Sequence, residues 1–187
     1  MKKIEVRISG LGGQGVVLAG QILGRAAVYA GKNAVQTQSY GAEARGSAAK
    51  SEVIISEDKI GFPAVRKCDL LVAMSQDAVE KNLKDLKDNG ILLVDSSTVK
   101  TIPETKAKIF KIPATQTAEH YFKEKIYANI VMLGALTAIT KIVDEKSMEK
   151  AIIASFPKAV LETNLQAYRK GIELANSTKN KWYEEVD

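Results

Sequence analysis

The sequence predicts an α/β protein: a three-layer, Rossmann-like open sheet, mostly parallel with some antiparallel strand pairing, and a helical C-terminal segment. Three observations carry this. The runs DLLVAM (residues 69–74) and ILLVD (residues 91–95) are continuously apolar, as in parallel strands covered on both faces. Helical spacing lies between them and again after the first strand. Beyond Pro113 the strand patterns give way to helical ones.

Taken in order, residues 4–9 alternate apolar and charged side chains and read as a strand ending in Gly10-Leu11-Gly12-Gly13-Gln14-Gly15. A helix follows over 16–31, with Val17, Leu18, Gln21, Ile22, Arg25 and Tyr29 spaced by threes and fours and Gly31 as its stop. A short second strand falls at 34–38. SYGAEARGSAA is a loop, and KSEVIIS is a third strand. That loop is too short for a helical crossover, so the pair forms an antiparallel hairpin and the sheet is mixed. Residues 69–74 and 91–95 are strands, 76–86 a helix between them, and 108–112 the last strand. Helices are expected over 128–142, 146–156 and 159–175, with Pro157 punctuating the last two. The expectation is one domain over 1–187, with 1–112 as the sheet portion and 113–187 as a mainly helical portion packed on it.

The chain has 187 residues and a net charge of +5, from 27 Lys+Arg against 22 Asp+Glu. Its lysines are interleaved with acids, as in KNLKDLKDN, with no like-charge block and no aromatic–basic interleaving. That argues against nucleic-acid binding. The single cysteine, Cys68, excludes an internal disulfide, a four-thiolate cluster and a Cys-rich zinc site. MKKIEVRISG has no uninterrupted apolar stretch. The most apolar run, residues 130–139, is far shorter than the ~20 residues of a membrane span. A cytoplasmic protein is expected.

Gly10, Gly12 and Gly15 match G-x-G-x-x-G between a strand and a helix, a turn that lets backbone and helix amino terminus approach a phosphate. Gly13 lies within it. The dinucleotide fingerprint also requires an acid about 20 residues on, where this chain reads Val35-Gln36-Thr37-Gln38. A standard NAD site is therefore disfavoured, and the glycines serve either phosphate-type binding or close packing. The loop QTQSYGAEARG carries Tyr40, Glu43 and Arg45, chemistry typical of a functional loop. Ser75 and Gln76, and Asp95 and Ser96, follow strands whose carboxyl ends line the ligand crevice of an open sheet; capping and turn formation explain them equally. Cys68 and His120 lack an activating partner and read as structural. The chain shows a ligand-type crevice and no assembled catalyst.

GLGGQG, QSYGAEARG and SEVIIS, followed by GFPAVRKCDLLVAMSQDAVEK, resemble the gamma subunit of the 2-oxoacid:ferredoxin oxidoreductases. The likeness is strongest from Ile4 through Ser97, and the loop form is most similar to the 2-oxoglutarate branch. One departure stands at Ser47-Ala48, where many relatives carry a further glycine. The resemblance implies a multi-subunit enzyme that oxidatively decarboxylates a 2-oxoacid with CoA and passes electrons to ferredoxin or a similar acceptor. It puts thiamine diphosphate, magnesium and iron–sulfur clusters on alpha, beta and delta partner subunits and none on this chain. On this reading the chain has no catalytic residue and no metal ligand, and is inactive alone. It serves assembly, with Gly10–Gly15 and Arg45 as candidates for holding CoA. The pyruvate and other 2-oxoacid branches, a stand-alone NAD or flavin oxidoreductase and a nucleotide- or CoA-binding regulatory module are the alternatives.

Overall fold

A computed structural model describes residues 3–41 and 46–184, with side chains through residue 178. Glu43 and Arg45 lie outside the described residues. The strands are β1 (Ile4–Leu11), β2 (Asn33–Tyr40), β3 (Ala48–Ser56), β4 (Cys68–Ala73), β5 (Leu86–Asp95) and β6 (Lys108–Ile112). The helices are α1 (Val16–Tyr29), α2 (Gln76–Asn82), α3 (Ala114–Phe122), α4 (Ala128–Thr140), α5 (Glu145–Ile153) and α6 (Lys158–Glu184).

The sheet order is β2-β3-β1-β4-β5-β6. β1, β4, β5 and β6 pair in parallel, whereas β3 is antiparallel to both neighbours. The expected hairpin is therefore present, and its return strand inserts between β2 and β1. The continuous apolar runs behave as expected of doubly covered strands. Leu70 and Val72 join a cluster with Val6, Ile8, α1, α4, α5 and α6, while Leu71 and Ala73 join a second with Ile54, Leu92, Val94 and α2. The second, thinner layer also contains Val65 and Val99 from the long connections.

α4 is buried all round because α6 lies alongside it in the same sense. Asn129 and Asn164 share one cavity, and Lys141 and Asn176 share another. Their closest approach uses Gly134 and Gly171, where a β-carbon on either would overlap the backbone of the other helix. Tyr168 beside this seam is fully buried, its hydroxyl without a hydrogen-bond partner at ordinary distance, and burial pushes its ionisation up.

Four elements differ from the sequence expectation. α3 lies outside the expected helices: its buried residues are only Ala114, Thr117 and Ala118 and give no large apolar period. β5 begins at Leu86, with a register irregularity against β4 between Cys68 and Leu70, so its polar first half hides from a hydrophobicity reading. α2 is correspondingly shorter and ends in a 3₁₀ turn over Leu83–Asp85. α6 continues past residue 175 through a polar stretch to Glu184.

Arg7 is buried on the α2 side of β1, with a side-chain exposure of 3 %. Its guanidinium meets Glu52 at 2.7 Å and Asp85 at 2.6 Å and also donates to Asn82 Oδ1 and Val65 O. Burial alone would lower its pKa; the hydrogen bonds and charges of Asp85 and Glu52 outweigh that and raise it. The cluster ties β1 to β3 and to the end of α2.

Candidate functional site

The chain leaves β1 toward β2 on one side and returns through β4 on the other, so the reversal of strand order falls between β1 and β4. This is where open α/β sheets form their ligand crevice. The glycine turn stands over it. Gly13 has φ +91° and Gly15 φ +72°, conformations that glycine adopts without steric cost. Gly15 caps α1 with no side-chain bond, and Asn129 Nδ2 donates to its carbonyl at 3.1 Å. A β-carbon at Gly15 would overlap Asn129 Nδ2 and stand 3.0 Å from its Cγ. The turn is therefore seated on the first turn of α4.

Gln14 spans the crevice itself. Its Oε1 accepts from Leu11 N at 2.7 Å, and its Nε2 donates to Met74 O at 2.8 Å, at the end of β4. Gly10 leaves room beneath it: a β-carbon there would lie 2.5 Å from Gln14 Oε1 and 3.1 Å from Met74 Cβ, so a larger residue would displace the Gln14 carboxamide. Gly12 N donates to Ser47 O at 2.8 Å, which joins the turn to the loop end of the hairpin. Tyr40 closes β2 opposite Ala49 and is 62 % exposed.

The residues after β4 and β5 are engaged inside the chain. Ser75 caps α2 by accepting from Ala78 N at 3.1 Å. Gln76 clamps the 96–107 connection, accepting from Lys100 N and Thr101 N and donating to Thr101 O. Asp95 is fully buried; it accepts from Ser97 N and Thr115 N, each at 3.0 Å, and from Thr115 Oγ1 at 2.5 Å. Ser96 N donates to Ile112 O, and its side chain is half-buried. Asp95 thereby fixes the start of α3 to the end of β5.

Beyond Gln14 a cleft of about 270 Å³ is lined by Gly13, Met74, Thr98, Thr115, Lys125 and Ile126, among others. Thr98 Oγ1 donates to Met74 O at 3.0 Å, and Lys125 at the rim pairs with Glu119 at 3.3 Å. A larger groove of about 530 Å³ lies at the opposite end of the strands, among Ile4, Leu70, Lys87 and Ile91. Open α/β sheets take their ligands at the carboxyl ends of the strands, where the glycine turn stands, so the glycine-turn cleft is the better candidate.

Gln14, Asn129, Thr98, Thr115 and Lys125 escaped the sequence reading. For Gln14 a signal existed: a long polar residue inside a turn built for close approach. The others come from segments far apart in sequence and carry no motif. Cys68 is fully buried, and burial pushes its thiol up to about 11, the opposite of a reactive or metal-binding thiolate. Among the described residues no group of three metal-ligating His, Cys, Asp or Glu side chains occurs, so these residues do not fit a cluster. His120 is exposed on α3, in an edge contact with Tyr121.

The fold and site thus define an open, mixed α/β sheet with a glycine turn over its switch-point crevice and with the polar side chains there engaged inside the chain. Residues 5–174 match the pyruvate ferredoxin/flavodoxin oxidoreductase family, and the chain belongs to it. Its sequence is 56% identical over 174 residues to the 2-oxoglutarate synthase subunit KorC of Methanocaldococcus jannaschii, covering 91% of this chain and 93% of that one. The corresponding subunit of Methanothermobacter thermautotrophicus is 49% identical, covering 91% and 94%. Among solved structures, the gamma subunit of a keto/oxoacid ferredoxin oxidoreductase from Geobacter sulfurreducens superposes with a TM-score of 0.84 at 44% identity, covering 93% of this chain and 99% of that one. The 2-oxoglutarate:ferredoxin oxidoreductase of Magnetococcus marinus, with 2-oxoglutarate, coenzyme A and succinyl-CoA bound, matches with a TM-score of 0.85 at 26% identity. There the match covers 95% of this chain and 32% of the longer one. Among the described residues no helix is long and apolar enough to cross a membrane.

Proposed function

We propose that the chain is the gamma subunit of a cytoplasmic 2-oxoglutarate synthase, which oxidatively decarboxylates 2-oxoglutarate with CoA to succinyl-CoA and CO₂ and passes the electrons to ferredoxin or a similar acceptor. The observation that carries this reading is the 56% identity, over 91% of this chain, to a 2-oxoglutarate synthase subunit; a pyruvate synthase subunit stands at 34%. On this reading thiamine diphosphate, magnesium and the clusters belong to the alpha, beta and delta subunits. This chain supplies a docking edge around Leu11 and Tyr40, both exposed. Contact with CoA falls to the cleft beside the turn, where the Lys125 ammonium at the rim suits a phosphate.

Reconstitution tests it. The alpha and beta chains should co-purify with this chain at stoichiometric yield, and CoA-dependent reduction of ferredoxin should be faster with 2-oxoglutarate than with pyruvate. Failure to co-purify overturns the subunit reading, and preference for pyruvate moves the chain to that branch. In the assembled complex, Lys125→Ala should raise the KM for CoA with assembly intact. Unchanged CoA kinetics would leave the cleft a docking feature only.

A further inference from the structure

The place where an open α/β sheet takes its ligand is filled, in this chain, by one of its own side chains. The Gln14 carboxamide lies over Gly10 and bridges Leu11 N of β1 to Met74 O at the end of β4. Other donors of the turn are taken too: Gly12 N by Ser47 O and Gln14 N by Leu11 O. A pyrophosphate held on such a turn uses its free amides and the close approach that a side-chain-free first glycine permits. Here three of the turn's amides are engaged inside the chain, by the Gln14 side chain, Ser47 O and Leu11 O, and the approach to Gly10 is covered by the Gln14 carboxamide.

The strand order points the same way. A dinucleotide site reads its ribose with an acid at the end of a strand beside β1. In this chain β3 stands in that place, and β2 is one strand further out. Adjacent strands lie about 4.8 Å apart, so β2 is roughly 10 Å from β1.

We propose that Gln14 is a specificity-determining residue: its carboxamide occupies the crevice between β1 and β4 and excludes the pyrophosphate of dinucleotides from the glycine turn. The exclusion is independent of which 2-oxoacid the complex oxidises. It leaves ligand contact to the neighbouring cleft, which begins on the far side of the same carboxamide.

The test uses the full chain, with inorganic pyrophosphate and NADH as probes, titrated by calorimetry. Gln14→Ala removes the carboxamide, and Gln14→Met keeps a side chain of similar length. Gln14→Ala should bind pyrophosphate at least about tenfold more tightly than the wild type, while Gln14→Met should match the wild type. Equal affinity of Gln14→Ala and wild type overturns the proposal, as does a gain shared by Gln14→Met. Amide hydrogen exchange on the wild type reads the same question without a variant. Leu11 N–H should exchange slowly with no ligand present and stay unchanged on adding pyrophosphate or NADH. Binding of either probe with further protection of Leu11 would overturn the exclusion.

Discussion

Two helical glycines should respond to alanine in opposite directions. Replacing glycine by alanine in a helix interior favours the folded state by about 0.8–1.0 kcal/mol through backbone propensity alone. At Gly24 in α1, a new β-carbon would have Gln36 Cβ and Val53 Cγ1 as nearest neighbours, both at 3.9 Å. That is ordinary contact, so Gly24→Ala should gain close to the full propensity term. At Gly171 in α6, the β-carbon would land on the carbonyl oxygen of Val131, 2.8 Å from its carbonyl carbon and 3.0 Å from Ala135 N. These are backbone atoms of α4 and cannot swing aside, so the two helices must part. Overpacking of that kind costs about 1–3 kcal/mol or more, which exceeds the propensity gain over most of its range.

The propensity gain is common to both variants, so they should differ by the overpacking cost, about 1–3 kcal/mol. For a chain of this size each kcal/mol moves the melting temperature by about 2–4 °C, so the variants should separate by roughly 2–12 °C. Thermal melts followed by far-UV circular dichroism read this directly, and denaturant slopes check that the unfolding transition stays the same. The displacement should also reach the candidate site. Val131 is two residues from Asn129, which holds Gly15. Slowed exchange at Gly24→Ala and faster exchange around Gly15 at Gly171→Ala are the local signatures. Melting temperatures that move in the same direction for both variants would refute the reasoning.

Arg7→Met should destabilise the chain by up to about 3–5 kcal/mol, because it takes the guanidinium away from the largely buried Glu52 and leaves that carboxylate only the weaker contact with Lys50 at 3.5 Å; urea titration of the two proteins gives the difference. Cys68 supplies a pH dependence. Its thiol is held at about 11 against an ordinary 9.0, so below pH 9 both folded and unfolded chains keep the proton. As pH rises from 9 to 11 the unfolded chain loses its proton first, and up to about 3 kcal/mol of stability is lost. Cys68→Ala should lose less stability than the wild type over that interval; parallel loss in both proteins would show that the thiol is not the source.

Much of the architecture was legible because the signals were strong and local. The glycine turn between a strand and a helix, the doubly covered strands and the antiparallel pairing of β2 with β3 each follow from a few adjacent residues, and each is present. α3 was hidden because a helix that buries alanines and a threonine has no hydrophobic period to read. The site was harder. Asp95 and Ser75 stand out in sequence for their place at strand ends, with ligand contact and capping equally open, and in the structure both are engaged inside the chain. A carboxylate that orders Ser97 N, Thr115 N and Thr115 Oγ1 looks in sequence the same as one waiting for a ligand.

The strand order weighs against a dinucleotide site more heavily than the missing acid near Val35–Gln38 does. In the structure that segment is an edge strand, separated from β1 by β3, so an acid placed at Gln38 would stand a strand too far from the turn to serve. The hairpin that moves β2 outward also brings Ser47 O to Gly12 N. The same insertion therefore displaces the ribose-reading position and occupies a phosphate-reading amide, while Gln14 occupies the crevice. Strand insertion, hairpin contact and plug act on one glycine turn. Restoring a single acid on β2 should leave NADH binding absent, and only variants that also open Gln14 give a phosphate room to enter.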